Sequence, residues 1–235
     1  LRNHFQGIQP LAGSSYFILS GANPKQGFGD LFVLRLGATA GDGEIVAHVN
    51  VDAEMWHAGG LSGLGNILAV AMHGGSPRLG RIAFYDVSDP ERPQRLATTI
   101  ERPRRKASAT AITRLGNGRF LVAVLSGYDG LPRRMDLYLS RSVQFGDGFL
   151  PAPLSWQVGN VRARAGQDKT FGHFQGISFV RQTDGRLYLV GFHNSVATPA
   201  ILPGRDYADL YEVVLPDDAL DDSWPSSGPP AVIKV

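Results

Sequence analysis

The chain repeats itself. HFQGI at His4 to Ile8 recurs at His173 to Ile177, and two weaker relatives, HAGGLSGLG from His57 and SATAITRLG from Ser108, stand between them. Each copy is followed by an apolar run: SYFILSG, NILAVAMHG, RFLVAVLSG and RLYLVGFHN. A polar loop and a third apolar segment come next (GDLFVLRL, RIAFYDV, MDLYLS, ADLYEVVL), and a fourth closes the unit (EIVAHVNV, PQRLATTI, LSWQVGNV, AVIKV). The units run from about 1–53, 54–104, 105–168 and 169–235.

Four short strands repeated about every 50 residues, with turn residues between them and almost no helical periodicity, specify an all-β chain. The architecture expected is a small β-propeller of four or five blades, with 1–235 as a single domain. A fifth blade would have been cut away or would lie in the long third unit between Arg141 and Thr170. The chain begins with Leu1 rather than Met, so a processed precursor or a fragment of a longer chain is expected, in an extracytoplasmic or secreted location. Second strands such as Phe120 to Leu125 are apolar throughout, as required when neighbouring blades cover both faces. In the fourth strand of the first unit, Ile45, Ala47, Val49 and Val51 alternate with Val46, His48 and Asn50, which places that strand outermost and half wet. Gly7, Gly60, Ala111 and Gly176 share one position of the innermost strand, where small residues let backbones crowd the axis.

IAFYDVSDPERPQRLATTI, Ile82 to Ile100, resembles the LVIVD-type propeller repeat, in which a strand ending in Asp-Val passes through Ser-Asp-Pro into the next strand. Ser88, Asp89 and Pro90 form a good turn in their own right. The resemblance covers one blade; it implies the fold and names no activity.

Composition narrows the function. Hydrophobic residues at 43% against 19% charged mark a globular chain. A net charge of +2 provides no broad field for nucleic acid. There is no cysteine, hence no disulfide or thiolate metal site, and no apolar run long enough for a transmembrane segment.

Strand antiparallelism brings the start of strand one and the end of strand two to the same end of each blade. Those places hold His4, His57, Ser108 and His173, and then Ser20, His73, Ser126 and His193. Only His48 of the six histidines falls outside these two rings. Gln6 and Gln175 follow two residues after the first ring and point the same way. Asp30, Arg81, Asp136 and Asp209 begin the third strands on the same face, further out.

A shared axial mouth follows, lined by His4, Gln6, His57, His73, Ser108, His173, Gln175 and His193. Three readings stay open: histidines as ties between blades, carried along by duplication; a pocket for a small polar ligand or a protein partner; or a divalent transition-metal site on His4, His57 and His173 serving a hydrolase, lyase or oxygenase. No residue is singled out as catalytic. A glycosidase would need two carboxylates across the pocket, and the innermost positions are His and Ser. Lesser signals are the HGG string at His73, Trp56 as a stacking platform, the basic run Arg102, Arg104, Arg105 and Lys106 as a connector or an anion contact, and the acidic stretch 216–230, expected to be a mobile surface hairpin.

Overall fold

The computed structural model describes residues 4–23, 27–39, 41–74, 79–126, 134–151, 162–163, 172, 174–194, 206–215 and 231–235. It is a β-propeller, and each repeat is one blade. Blade one is β1 (His4–Pro10), β2 (Tyr16–Asn23), β3 (Phe28–Leu36) and β4 (Gly43–Asp52). Blade two is β5 (His57–Leu64), β6 (Ile67–His73), β7 (Gly80–Asp86) and β8 (Gln94–Arg102). Blade three is β9 (Ala109–Arg114), β10 (Phe120–Ser126), β11 (Arg134–Ser140) and β12 (Phe149–Pro151). Blade four is β14 (Gly176–Arg181), β15 (Leu187–Asn194), β16 (Asp206–Val214) and β17 (Ala231–Lys234), with β13 (Arg162–Ala163) paired parallel to β17 as an extra edge strand. Pairing within each blade is antiparallel in chain order, and the contact of Ala22 with His57 joins the first two blades into one sheet. The inner hairpins turn through glycines in the left-handed region, as at Gly65 (φ 55°) and Gly118 (φ 86°), where an L side chain would clash.

Three apolar layers lie between successive blades. Ile18, Leu31 and Val33 of blade one meet Leu68, Val70 and Met72 of blade two. On the other face of β6, Ala69 and Ala71 join Ile82 and Phe84 against Val122 and Val124 of blade three. Leu121, Ala123 and Leu125, on the opposite face of β10, pack on Phe174, Ile177, Leu189 and Tyr211 of blade four. β6 and β10 are thus buried on both faces, as their unbroken apolar runs require. Each large aliphatic side chain so buried contributes about 1.5–3 kcal/mol. Among the described residues no such layer links blade four back to blade one. Accordingly, every exposed large hydrophobic except Val143 belongs to those two blades, including Phe5, Ile8, Phe192 and Leu210.

Three local expectations are corrected. Ile45 does not turn inward with Ala47, Val49 and Val51: a register shift between Val33 and Leu34 places Ile45 opposite Leu34, and it is 49% exposed. The fourth strand of blade three is Phe149–Pro151, upstream of the expected segment 154–161, which lies outside the described residues. Gly176 meets open space where Gly7 and Gly60 are crowded. The place where a fifth blade would lie in the third unit falls largely outside the described residues, as does the hairpin expected at 216–230.

Candidate functional site

The inner strands stand side by side with matching levels. β5 lies between β1 and β9: a Cβ at Gly7 would come within 3.3 Å of Gly60, and Gly60 N–H donates to the Ser108 carbonyl at 2.9 Å. Across the axis, a Cβ at Gly60 would collide with the Gln175 carbonyl. Among the described residues, backbone thus meets backbone closely just beneath the polar edge.

At this mouth the histidine ring of His57 stacks on that of His73, with centroids 4.1 Å apart and planes 29° apart. Register explains the contact, because His57 and His73 are directly opposed at the ends of β5 and β6. Burial is the main cause that lowers the pKa of His57 to about 4, and the charge of His4 adds to it. Burial likewise lowers His73 to about 3, with His57 and Lys106 contributing. Both rings are neutral at physiological pH. His73 Nδ1–H donates to the Ala107 carbonyl at 3.2 Å, which leaves its Nε2 as an acceptor. His57 Nδ1 is buried with no hydrogen-bond partner among the described residues. His4 is exposed and bonds the Gln6 side-chain nitrogen through its Nδ1 at 2.7 Å. Trp56 meets His57 edge to face at 5.6 Å.

Other members of the two rings are already engaged, Ser20 across a blade junction and the rest within their own blades. Ser20 Oγ donates to the Gly59 carbonyl in the next blade (2.5 Å), and Ser108 Oγ donates to the Leu125 carbonyl (2.8 Å). Ser126 Oγ donates to the Arg134 carbonyl at 3.0 Å. His193 sits 3.3 Å from Asp209, is stacked on Tyr207, and meets Phe174 edge-on, all within blade four. Gln175 is exposed, and His173 lies outside the described residues. The structure therefore brings His4, Gln6, His57 and His73 together and keeps His193 with its own blade. Among the described residues no three histidines or carboxylates are grouped to hold a metal, and His173 of the expected set is not one of them.

Charged residues at the third-strand starts form a second layer. Asp30 accepts from His48 Nε2 at 2.7 Å, and His48 lies flat on Phe32 with centroids 4.6 Å apart. Sequence reasoning left His48 aside. Its place opposite Phe32 in β4, one strand from Asp30, is the signal that a strand-pairing argument would have used. Arg81 pairs with Asp52 of the preceding blade and with Glu101. One junction further the polarity reverses, as Arg102 of blade two pairs with Asp136 of blade three, both side chains almost fully buried. Asp209 also pairs with Lys234 at 2.9 Å.

No protein-family model and no curated protein matches the sequence. Among solved structures, an endo-arabinase from Bacteroides thetaiotaomicron is similar at a TM-score of 0.54 and 12% identity, over 89% of this chain and 74% of that one. An α-L-arabinofuranosidase from Clostridium thermocellum is similar at a TM-score of 0.47 and 12% identity, over 97% and 72%. At such identity the likeness to the endo-arabinase shows the fold and nothing finer. No helix among the described residues is long and apolar enough to cross a membrane.

Proposed function

We propose that the chain is a β-propeller binding module, one domain over 1–235, that receives a small polar ligand or a protein partner at the edge formed by His4, Gln6, His57 and His73. The observation that carries this reading is the His57 imidazole: neutral, mostly buried, and with its Nδ1 left without a partner among the described residues. A buried polar nitrogen of that kind costs stability unless something supplies a hydrogen bond, so it suits a site that is completed from outside. The neighbouring His4 and Gln6 side chains add donors and acceptors at the exposed rim.

Glycoside hydrolysis, the activity named for the similar endo-arabinase, requires two carboxylates about 5–9.5 Å apart and free to exchange protons. Here Asp30, Asp136 and Asp209 are each held by a cation or a histidine. That engagement favours binding over hydrolysis. The metal-dependent alternative rests on His4, His57 and His173.

The test is heteronuclear NMR of the imidazole nitrogens during titration with arabinose, gluconate and citrate, and separately with Zn²⁺. Saturable shifts at His57 that vanish in His57→Ala, with the melting temperature kept within about two degrees, support the reading. A response to Zn²⁺ alone favours the metal alternative. A variant that loses several degrees while the wild type responds to no probe makes the histidines blade ties only.

A further inference from the structure

At the strand ends opposite the histidine edge, where β6 begins, blades two and three part around a cavity of about 370 Å³. Its lining is Asn66 and Ile67, Asp86, the segment Leu96–Thr98, and Phe145 beside Gly146, all within the described residues. Register creates the space. β7 and β8 pair Ala83 with Thr99 and Tyr85 with Arg95, so Leu96, Ala97 and Thr98 stand opposite Phe84 alone. Three residues against one bow the outer strand and re-aim its side chains. The 3-10 turn Phe145–Asp147, which precedes β12, meets β8 at this bow.

The floor is the open edge of the apolar layer between blades two and three. Ile67, Leu96 and Phe145 pack against that layer and stay only partly buried. The Phe145 ring stands nearly perpendicular to Phe84, Phe120 and Phe149, at 86°, 89° and 77°, so this platform is fixed before any ligand arrives. Polar groups gather at one side. β6 and β7 pair Ile67 with Asp86, and Val87 N–H donates to the Asn66 carbonyl at 2.8 Å, which sets Asn66 beside the carboxylate. Asp86 accepts from Ser88 N–H at 2.8 Å, and the Ser88 donors hold its pKa below the usual carboxylate value. Those donors are neutral. No cationic side chain pairs with Asp86 among the described residues, and no lining residue is Lys, Arg or His. The Asn66 amide and the Thr98 hydroxyl likewise have no hydrogen-bond partner among the described residues.

We propose that this cavity receives a small organic cation, an amine or quaternary ammonium carrying an aromatic or branched aliphatic group, with the apolar part on Ile67, Leu96 and Phe145 and the charged head at Asp86. The charge pattern selects that class. Asp86 is the only charged lining residue, so the cavity repels an anion, and a neutral apolar guest leaves the carboxylate without a counter-charge. Size agrees, since small-molecule pockets span about 300–1,000 Å³. Apolar area supplies most of the binding, and a carboxylate near the surface adds selectivity more than affinity. The site is separate from the histidine edge and stands or falls without it.

Isothermal titration with phenethylamine, 2-phenylethanol and phenylacetate at pH 7.5 and low, constant ionic strength tests the assignment, because the three differ mainly in the charge of the head. The amine should bind saturably, about threefold tighter than the alcohol and about tenfold tighter than the acid. Asp86→Asn keeps an acceptor for Ser88 N–H and should bring amine and alcohol within about 1.5-fold of each other, with alcohol binding unchanged. Asp89→Asn, at an exposed carboxylate of the same turn outside the cavity, should leave amine binding as in the wild type. Ala97→Phe, which fills the cavity from β8, should abolish binding of both while the melting temperature stays near that of the wild type. No saturable amine binding, an alcohol as tight as the amine in the wild type, equal effects of the two asparagine variants, or amine binding retained in Ala97→Phe would each overturn the proposal.

Discussion

His57 and His73 share one face, ring against ring at 4.1 Å, at the ends of neighbouring strands in a blade. Two like bases can lie so close only because both are neutral, and burial keeps them so. The contact thereby couples the candidate edge to the stability of the fold.

That coupling sets a pH dependence. The folded pKa values, about 4 and about 3, lie below the ordinary 6.5 of an unfolded histidine. Between these limits the unfolded chain binds more protons, so stability is full above about pH 6.5 and is lost as pH falls toward 4 and then 3. A tenfold difference in proton affinity between the folded and unfolded chain is worth about 1.4 kcal/mol, so a loss of several kcal/mol is expected across the window. Urea unfolding at pH 7.5, 6.0 and 4.5 measures it. His73→Leu should flatten the slope between pH 6.5 and 4.5; an unchanged slope in that variant would remove the histidine pair as its cause.

Crowding at the axis makes a second prediction. Gly60→Ala would drive a methyl into the Gln175 carbonyl and to 2.9 Å from the Ala109 Cβ, and overpacking of this kind costs about 1–3 kcal/mol. Gly176→Ala enters open space and should leave stability within about 0.5 kcal/mol of wild type. Thermal melts of the two variants side by side decide it, and equal melting points would contradict the close approach of Gly60 to the Gln175 backbone.

The buried tie between blades two and three gives a third. Arg102→Leu strands Asp136 beside a poorly aligned Arg134, and breaking a buried pair costs about 3–5 kcal/mol. Arg35→Leu removes exposed pairs with Glu44 and Glu91 and should cost less than about 1 kcal/mol. The order of the two urea midpoints is the readout, and a reversal would mean that Arg102 is not the tie.

The free faces of the end blades make a fourth prediction. Phe192 is 55% exposed and Ile8 61%. The double substitution Ile8→Thr and Phe192→Thr should therefore change unfolding free energy by less than about 1 kcal/mol, whereas Val122→Thr, wholly buried between blades two and three, should cost more. Chemical denaturation of the variants beside the wild type reads the difference, and a large loss in the double variant would show that those faces are covered.

Much of the fold was legible in residues alone. The repeat of four apolar segments located nearly every strand, and the unbroken runs of β6 and β10 announced burial on both faces, because a strand between two blades has no wet side. Two boundaries escaped for local reasons. The bulge opposite Val33 reverses the faces of β4 beyond it, and alternation cannot signal a one-residue slip. Phe149–Pro151 is too short to stand out beside the longer apolar stretch that follows it.

The candidate edge divided differently. Position in the repeat was enough to bring His4, His57 and His73 to one end of the blades, since antiparallel pairing fixes that end by topology. Which histidines already have partners depends on side-chain contacts that repeat position does not name: Ala107 of the next unit for His73, and neighbouring-strand Asp209 for His193 and Asp30 for His48. Periodicity places residues along a strand, whereas side-chain contacts between strands and between blades belong to the packing. Residue order was therefore sufficient to define the blades and the end where polar residues gather. Which of those residues are already satisfied emerged only from the packed molecule, because burial and a missing partner exist only once the blades have closed on one another.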